Sequence, residues 1–314
     1  MRTLQFVTCD VFTDTPLAGN QLAVVFGAEG LPAETLLAIT REFNFSETTF
    51  VFDAERADTT HRVRIFTPGG EVPFAGHPTL GTAHVLVAGG SVAVTGDSVR
   101  LVLGENVGPV PVTVWCAGGA PVWAQLTTAQ LPEERTSGVP SINELAEVLS
   151  LAPEDFVGGT HSPAGVSCGL PFLVAPLTSV DAVRRARVHM GAWDQFLRGT
   201  WAAEPMVFAV VRDNDDRADA PDSLREVDLR ARVFVPGLSV PEDPATGSAN
   251  ACLAGYLAAR TPRDGTLSWR VAQGIEMQRP SRLDLEVDKS GGVVSAVRVG
   301  GASVIVTDGT FRLP

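Results

Sequence analysis

Arg64-Ile-Phe-Thr-Pro-Gly-Gly-Glu-Val-Pro73, followed by His77-Pro-Thr-Leu-Gly-Thr-Ala83, returns later in the chain. It reappears as Arg232-Val-Phe-Val-Pro-Gly-Leu-Ser-Val-Pro241, followed by Asp243-Pro-Ala-Thr-Gly-Ser-Ala249. Both copies run from a strand through a Pro-Gly turn and a second proline. Both then place a polar residue before proline and open a Gly-small-Ala helix. The first copy carries two extra residues. A repeat of this kind signals an internal duplication, so the chain is expected to form two similar lobes. Each copy ends at a predicted helix start with a polar side chain before it. Helix starts carry unpaired N–H groups and the positive dipole end. Two of them brought together by a pseudo-twofold would make a cleft for a small anion.

Working outward, the 314 residues allow two domains. The expected division is 1–120 with a C-terminal strand near 302–314, and 121–301, with a linker between about 117 and 140. The apolar fraction of 45% supports an ordinary core. Cys9, Cys116, Cys168 and Cys252 show no Cys-x-x-Cys spacing, which suits free thiols in a reducing cytoplasm. A net charge of -12 argues against nucleic-acid binding. No signal peptide and no membrane span are expected. The histidines show no metal-ligand spacing, and neither a phosphate loop nor a dinucleotide fingerprint is present. Lys289, the only lysine, falls in a predicted hairpin turn over 288–292 and is a poor Schiff-base candidate. The common cofactor classes therefore lose most of their weight, and no metal is expected.

The pattern predicts a hairpin over 4–12 and 21–26, a helix over 32–43 and strands over 45–52 and 61–66. A helix over 78–87 follows, then strands near 92–95, 99–103, 110–116 and 121–126. The second half predicts a helix over 141–149 with a Ser141–Glu144 capping box, a strand over 172–176, and helices over 180–187 and 192–198. Strands over 206–212 and 228–235, a helix over 244–259 and strands from 266 to 313 complete it. The run 213–216 has the look of a calcium loop without its glycine or distal glutamate, and reads as an exposed loop. The fold class is α+β, with each lobe a curved sheet around one apolar, buried helix.

His77-Pro78 and Asp243-Pro244 place a polar side chain at an expected N-cap and Pro at N1. Asp243 alone is adequately explained as a cap; His77 is a weaker cap and leans towards chemistry. Gly76, Gly247 and Ser248 allow close backbone approach. Glu47 shares a strand face with Phe45, Thr49 and Val51. A carboxyl on an apolar face is costly unless protonated or partnered, and its burial would suit it to take and return a proton. The bland alternative is an edge-strand glutamate facing solvent or paired with arginine. Neither helix-start loop carries a thiol, which weighs against a two-cysteine racemase. Cys252 reads as core.

Several motifs together resemble the PhzF-like family of phenazine biosynthesis. These are Asp10-Val-Phe-Thr with Gly19-Asn20, Asn44-Phe-Ser-Glu-Thr48, Gly76-His-Pro-Thr79, Gly169-Leu-Pro-Phe172, Asp243-Pro-Ala-Thr-Gly-Ser248, and Gln273-Gly with Arg279-Pro-Ser281. The resemblance spans the chain. It implies a diaminopimelate-epimerase-like fold with two lobes, each wrapped around a central helix. It also implies a homodimer, no cofactor, and isomerisation of a small carboxylate such as trans-2,3-dihydro-3-hydroxyanthranilate. By the same resemblance, Glu47 would shuttle the proton, His77 and Asp243 would assist, and Gly76, Gly247, Ser248 and Ser46 would bind substrate. Some relatives keep a cysteine where this chain has Ala75, which again disfavours a two-thiol mechanism. The alternatives are an epimerase or racemase of an amino or hydroxy acid, and a non-catalytic metabolite-binding protein.

Overall fold

The computed structural model describes residues 2–212, 216–238 and 240–313. Asp213, Asn214 and Asp215 of the expected exposed loop lie outside the described residues. The Asp216 carboxylate accepts the Arg212 backbone N–H at 2.8 Å. Two compact units make up the chain: Met1–Thr127 with Gly300–Pro314, and Thr128–Val299.

The first unit contains β1 (Arg2–Val11), β2 (Asn20–Phe26), α1 (Ala33–Phe43), β3 (Glu47–Asp53), β4 (His61–Thr67), β5 (Gly70–Val72), α2 (Gly76–Ala88), β6 (Ser98–Glu105), β7 (Gly108–Ala117) and β8 (Ala120–Thr127). The C-terminal strand Ser303–Leu313 runs antiparallel to β1. β1 pairs antiparallel with β2, β2 parallel with β3, and β3 antiparallel with β4. β4 then pairs antiparallel with β5 and parallel with β6. The second unit contains β9 (Glu133–Arg135), α3 (Ile142–Leu149), β10 (Ala164–Ser167), β11 (Pro171–Pro176), α4 (Val180–Arg185), α5 (Met190–Phe196), β12 (Glu204–Val210), β13 (Leu229–Val235), β14 (Val240–Asp243), α6 (Gly247–Arg260), β15 (Gly265–Gln273), β16 (Ser281–Ser290) and β17 (Val293–Gly301). There β10 pairs antiparallel with β11, β11 parallel with β12, and β12 antiparallel with β13. β13 pairs antiparallel with β14 and parallel with β15.

The duplication therefore holds at the level of individual hydrogen-bonded pairs. His61↔Leu103 and Arg62↔Gly104 of β4 and β6 have the counterparts Leu229↔Val271 and Arg230↔Ala272, at one constant numbering offset. In each unit one helix is enclosed by the sheet. Every residue of α2 from Gly76 to Val87 is buried, as its all-round apolar character demands. Gly81 is where α2 meets the sheet, since a Cβ there would lie 2.6 Å from Leu22 and 2.7 Å from Val11. Most of α6 is likewise buried. α1 covers the other face of its sheet, packing Leu36 and Ile39 on Leu4, Val25, Phe50 and Phe66.

Several sequence expectations are corrected. Residues 92–95 form no strand. The span expected as linker holds β8 and β9. α2 starts at Gly76 with Ala75 as N-cap, so His77 and Pro78 sit inside its first turn rather than at N-cap and N1. α6 starts at Gly247 with Thr246 as N-cap, so Asp243 lies at the end of β14 and not at the N-cap position. Lys289 is not in the turn. It is buried near the end of β16, and its ammonium donates to the carbonyls of Ala258 (2.9 Å) and Thr261 (2.6 Å). Cations favour helix C-termini, where the last carbonyls lack intrahelical donors.

Candidate active site

Glu47 is the first residue of β3, and a left-handed turn puts it there. Asn44 caps α1 with φ 54°, its N–H bonded to the Thr40 carbonyl, and the chain turns through Phe45 and Ser46 into the strand. Asparagine tolerates this conformation better than most residues. β3 lies between β2 and β4, so Glu47 is not on an edge strand. Its side chain is only 18% exposed, and Oε2 lies 3.6 Å from Nε2 of His77, itself 5% exposed. The structure thus brings Glu47 and His77 together in the first unit.

A buried network surrounds the His77 imidazole. Gly19 adopts φ +67°, where an added Cβ would collide with the Val11 carbonyl, and so feeds Asn20 into the start of β2. Ser46 Oγ donates to Asn20 Oδ1 at 3.1 Å. The Asn20 amide presents Nδ2 to His77 Nδ1 at 3.2 Å, and an NH2 group can only donate there. Nδ1 is then an acceptor, and Nε2 carries the hydrogen, facing Glu47. Burial lowers the His77 pKa to about 3, against a smaller opposing effect of the Gln21 backbone. His77 is therefore neutral at physiological pH. At 3.6 Å the two approach short of a hydrogen bond, and a neutral imidazole forms no ion pair with Glu47 that would weaken it as a base.

In the second unit, Asp243 is buried at the end of β14. Its Oδ2 accepts from Thr246 Oγ1 at 2.5 Å. Gln273, fully buried at the end of β15, ties this segment down. Its Nε2 donates to the Asp243 carbonyl (2.8 Å) and to Thr246 Oγ1 (3.1 Å), while its Oε1 accepts from Thr246 N and Asn250 Nδ2. Gly274, at φ +76°, lies against the Pro244 and Arg279 carbonyls where no side chain fits. The sequence motifs Gln273-Gly and Arg279-Pro-Ser281 thus brace Asp243-Pro244. Gly247 and Ser248 are the first two residues of α6, buried and half-buried respectively. Gly76 is the first residue of α2.

Four residues that bear on these sites were given no role in the sequence reading. Asn20 was quoted in the Gly19-Asn20 motif without a role of its own. Glu105 and Gln273 end apolar strands at matching register positions, which only the strand pairing exposes. Glu204 is the topological counterpart of Glu47. Each opens its strand, one paired with Leu22 and the other with Phe172. Burial raises the Glu204 pKa to about 7, opposed by the Gly237 N–H, which donates to it. The cysteines are all free, and Cys252 Sγ donates to the Leu170 carbonyl at 3.5 Å. Among the described residues no helix is long and apolar enough to cross a membrane, and no cluster of His, Cys, Asp and Glu has the grouping to hold a metal ion.

The profile of the family described as Phenazine biosynthesis-like protein matches residues 9–309. An uncharacterised isomerase of Mesorhizobium japonicum is 38% identical over 314 residues, covering 98% of this chain and 99% of that protein. The trans-2,3-dihydro-3-hydroxyanthranilate isomerase of Pseudomonas aeruginosa is 30% identical over 315 residues, covering 98% and 99%. The crystal structure of a PhzF-family phenazine biosynthesis protein from Bacillus anthracis superposes with a TM-score of 0.85 over the whole of both chains, at 24% identity, a likeness of fold. With the profile running through both units and relatives matched nearly end to end, the chain belongs to the phenazine biosynthesis-like family and is an isomerase.

Proposed function

We propose that this isomerase shifts a proton within a small unsaturated carboxylate of the trans-2,3-dihydro-3-hydroxyanthranilate type, with Glu47 as the proton carrier. The Glu47 carboxylate takes a proton from a carbon beside the unsaturated system. The electron pair of that C–H bond moves into the conjugated system, and Glu47 returns the proton to a different carbon. One group doing both jobs needs no exchange with bulk water between the steps. The neutral Nε2–H of His77 aims the carboxylate. Ser46 and Gly76 are the substrate-binding residues of the first unit. Asp243, Gly247 and Ser248 take that role in the second, with Asp243 also assisting proton movement and the α6 start offering N–H groups to a carboxylate or an enolate-like charge. General acid–base catalysis contributes roughly 10²–10⁴-fold, so positioning and charge stabilisation supply the rest.

The observation that supports this reading most is the enclosed Glu47–His77 pair, with Asn20 Nδ2 against the far nitrogen of the imidazole. The test is turnover of trans-2,3-dihydro-3-hydroxyanthranilate by Glu47→Gln. The reading requires loss of at least about 10²-fold with the fold intact. Loss of optical purity at a single stereocentre, with no movement of the double bonds, would point instead to epimerisation.

A further inference from the structure

We propose that Glu105 is a positioning residue: a neutral carboxylic acid that donates a hydrogen bond to Thr79, locks the first turn of α2, and so fixes His77 against Glu47. This rests on the roles given above to His77 and Glu47. Thr79 Oγ1 lies 2.8 Å from the Ala75 carbonyl and 2.6 Å from Glu105 Oε1. A hydroxyl has one proton and the carbonyl can only accept. One proton can serve both acceptors only as a weaker three-centre bond, whereas a proton on Glu105 makes both short separations full hydrogen bonds. The order is then Glu105 to Thr79 to Ala75, the N-cap residue two positions before His77. Glu105 Oε2 is buried without a hydrogen-bond partner, tolerable for the carbonyl oxygen of an acid but costly for half of a carboxylate.

The duplication supplies an independent reading. Glu105 follows the paired Gly104 of β6, and Gln273 follows the paired Ala272 of β15, so the two occupy one position of the repeat. Gln273 does in the second unit what the acid does in the first. Its Nε2 donates to Thr246 Oγ1, and that hydroxyl donates onward to Asp243. A carboxamide cannot ionise, and its presence defines the position as one for a permanent donor. Burial raises the Glu105 pKa to about 8, with the Thr79 hydrogen bond and Arg62 opposing. Arg62 on β4 is the charged side chain that bears on Glu105. Its guanidinium also donates to the Val63 and Gly104 carbonyls and to Asn106 Oδ1. Nearby, Glu71 of β5 is taken up by Arg64 and Asn106.

Ionisation of Glu105 would turn the Thr79 proton towards the carboxylate and release Ala75, loosening the turn that carries His77. The wild-type rate should therefore fall as pH rises through about 8. The experiment compares wild type, Glu105→Gln and Glu105→Ala. An infrared difference spectrum at pH 7 should show a protonated carboxyl band in wild type that Glu105→Gln removes. The His77 ring nitrogen signals should match between wild type and Glu105→Gln and change in Glu105→Ala. With trans-2,3-dihydro-3-hydroxyanthranilate as probe, Glu105→Gln should turn over near the wild-type rate without the alkaline decline. Glu105→Ala should lose about tenfold or more in kcat at little cost in KM. An ionised Glu105 at pH 7, or a folded Glu105→Gln as impaired as Glu105→Ala, overturns the proposal. If no variant turns over the probe, the infrared and imidazole signals still decide the role of Glu105, and the failure falls on the substrate assignment.

Discussion

Replacing Asn20 by aspartate changes one atom and inverts the direction of a hydrogen bond. Asn20 is 1% exposed, and its Nδ2 donates to His77 Nδ1. Aspartate can only accept there, so the imidazole must move its hydrogen to Nδ1 and present a bare Nε2 lone pair to Glu47 Oε2 across 3.6 Å. An opposite charge at this range raises a histidine pKa by about 1–3 units. Starting from about 3, His77 would remain uncharged at pH 7. The consequence is thus a change of tautomer rather than of charge. A wrong tautomer costs up to about 10⁴ in kcat where the histidine is itself the base. Here it only orients the base, so a loss nearer 10² is expected. Long-range nitrogen–proton correlation spectra read the tautomer directly, and turnover of trans-2,3-dihydro-3-hydroxyanthranilate reads the consequence. An Asn20→Asp protein that keeps the Nε2–H form, or flips the tautomer and turns over at the wild-type rate, would refute the reasoning.

Three further outcomes are expected. Lys289→Met should destabilise the second unit by about 3 kcal/mol in urea denaturation, because two carbonyls lose a buried charged donor; a change under about 1 kcal/mol would contradict the capping role. Gly81→Ala should cost about 1–3 kcal/mol through overlap with Leu22 and Val11, measured by thermal or urea unfolding. Burial holds His77 near 3 and His84 near 4, below the ordinary histidine value, so their neutral forms stabilise the fold above about pH 6.5 and that contribution is lost as pH falls. Glu105 and Glu204 are shifted upwards, so they stabilise fully below about 4.5 and lose it as pH rises through about 8 and about 7. Glu105→Gln should accordingly flatten the alkaline side of a stability-versus-pH curve and leave the acid side unchanged.

The doubled motif carried the fold because strand, turn and helix-start chemistry are local, and the same local order produced the same strand pairings twice. The enclosure of α2 and α6 was legible for a related reason: a helix apolar on every face has nowhere else to go. The helix starts were misjudged because proline after a polar residue fits N1 in isolation. Inside each unit, however, the backbone of 75–79 winds earlier and that of 243–246 later, held by Thr79 and by Gln273. Lys289 reads as a turn residue beside Ser290 and two glycines, and only the carbonyl end of α6 explains its burial. Asn20, Glu105 and Gln273 act through partners far away in sequence. Their roles depend on register, which a single sequence does not reveal. Glu47 and His77 were legible as candidates, but the atom-level link through Asn20 was not.

The most direct test is to run the reaction on trans-2,3-dihydro-3-hydroxyanthranilate in deuterated water and follow label and rate together. Wild type should convert it, and a single carboxyl carrying the proton predicts retention of part of the substrate's own hydrogen in the product. Glu47→Gln, with an unchanged fold, should do neither. Undiminished conversion by Glu47→Gln would contradict the account at its centre.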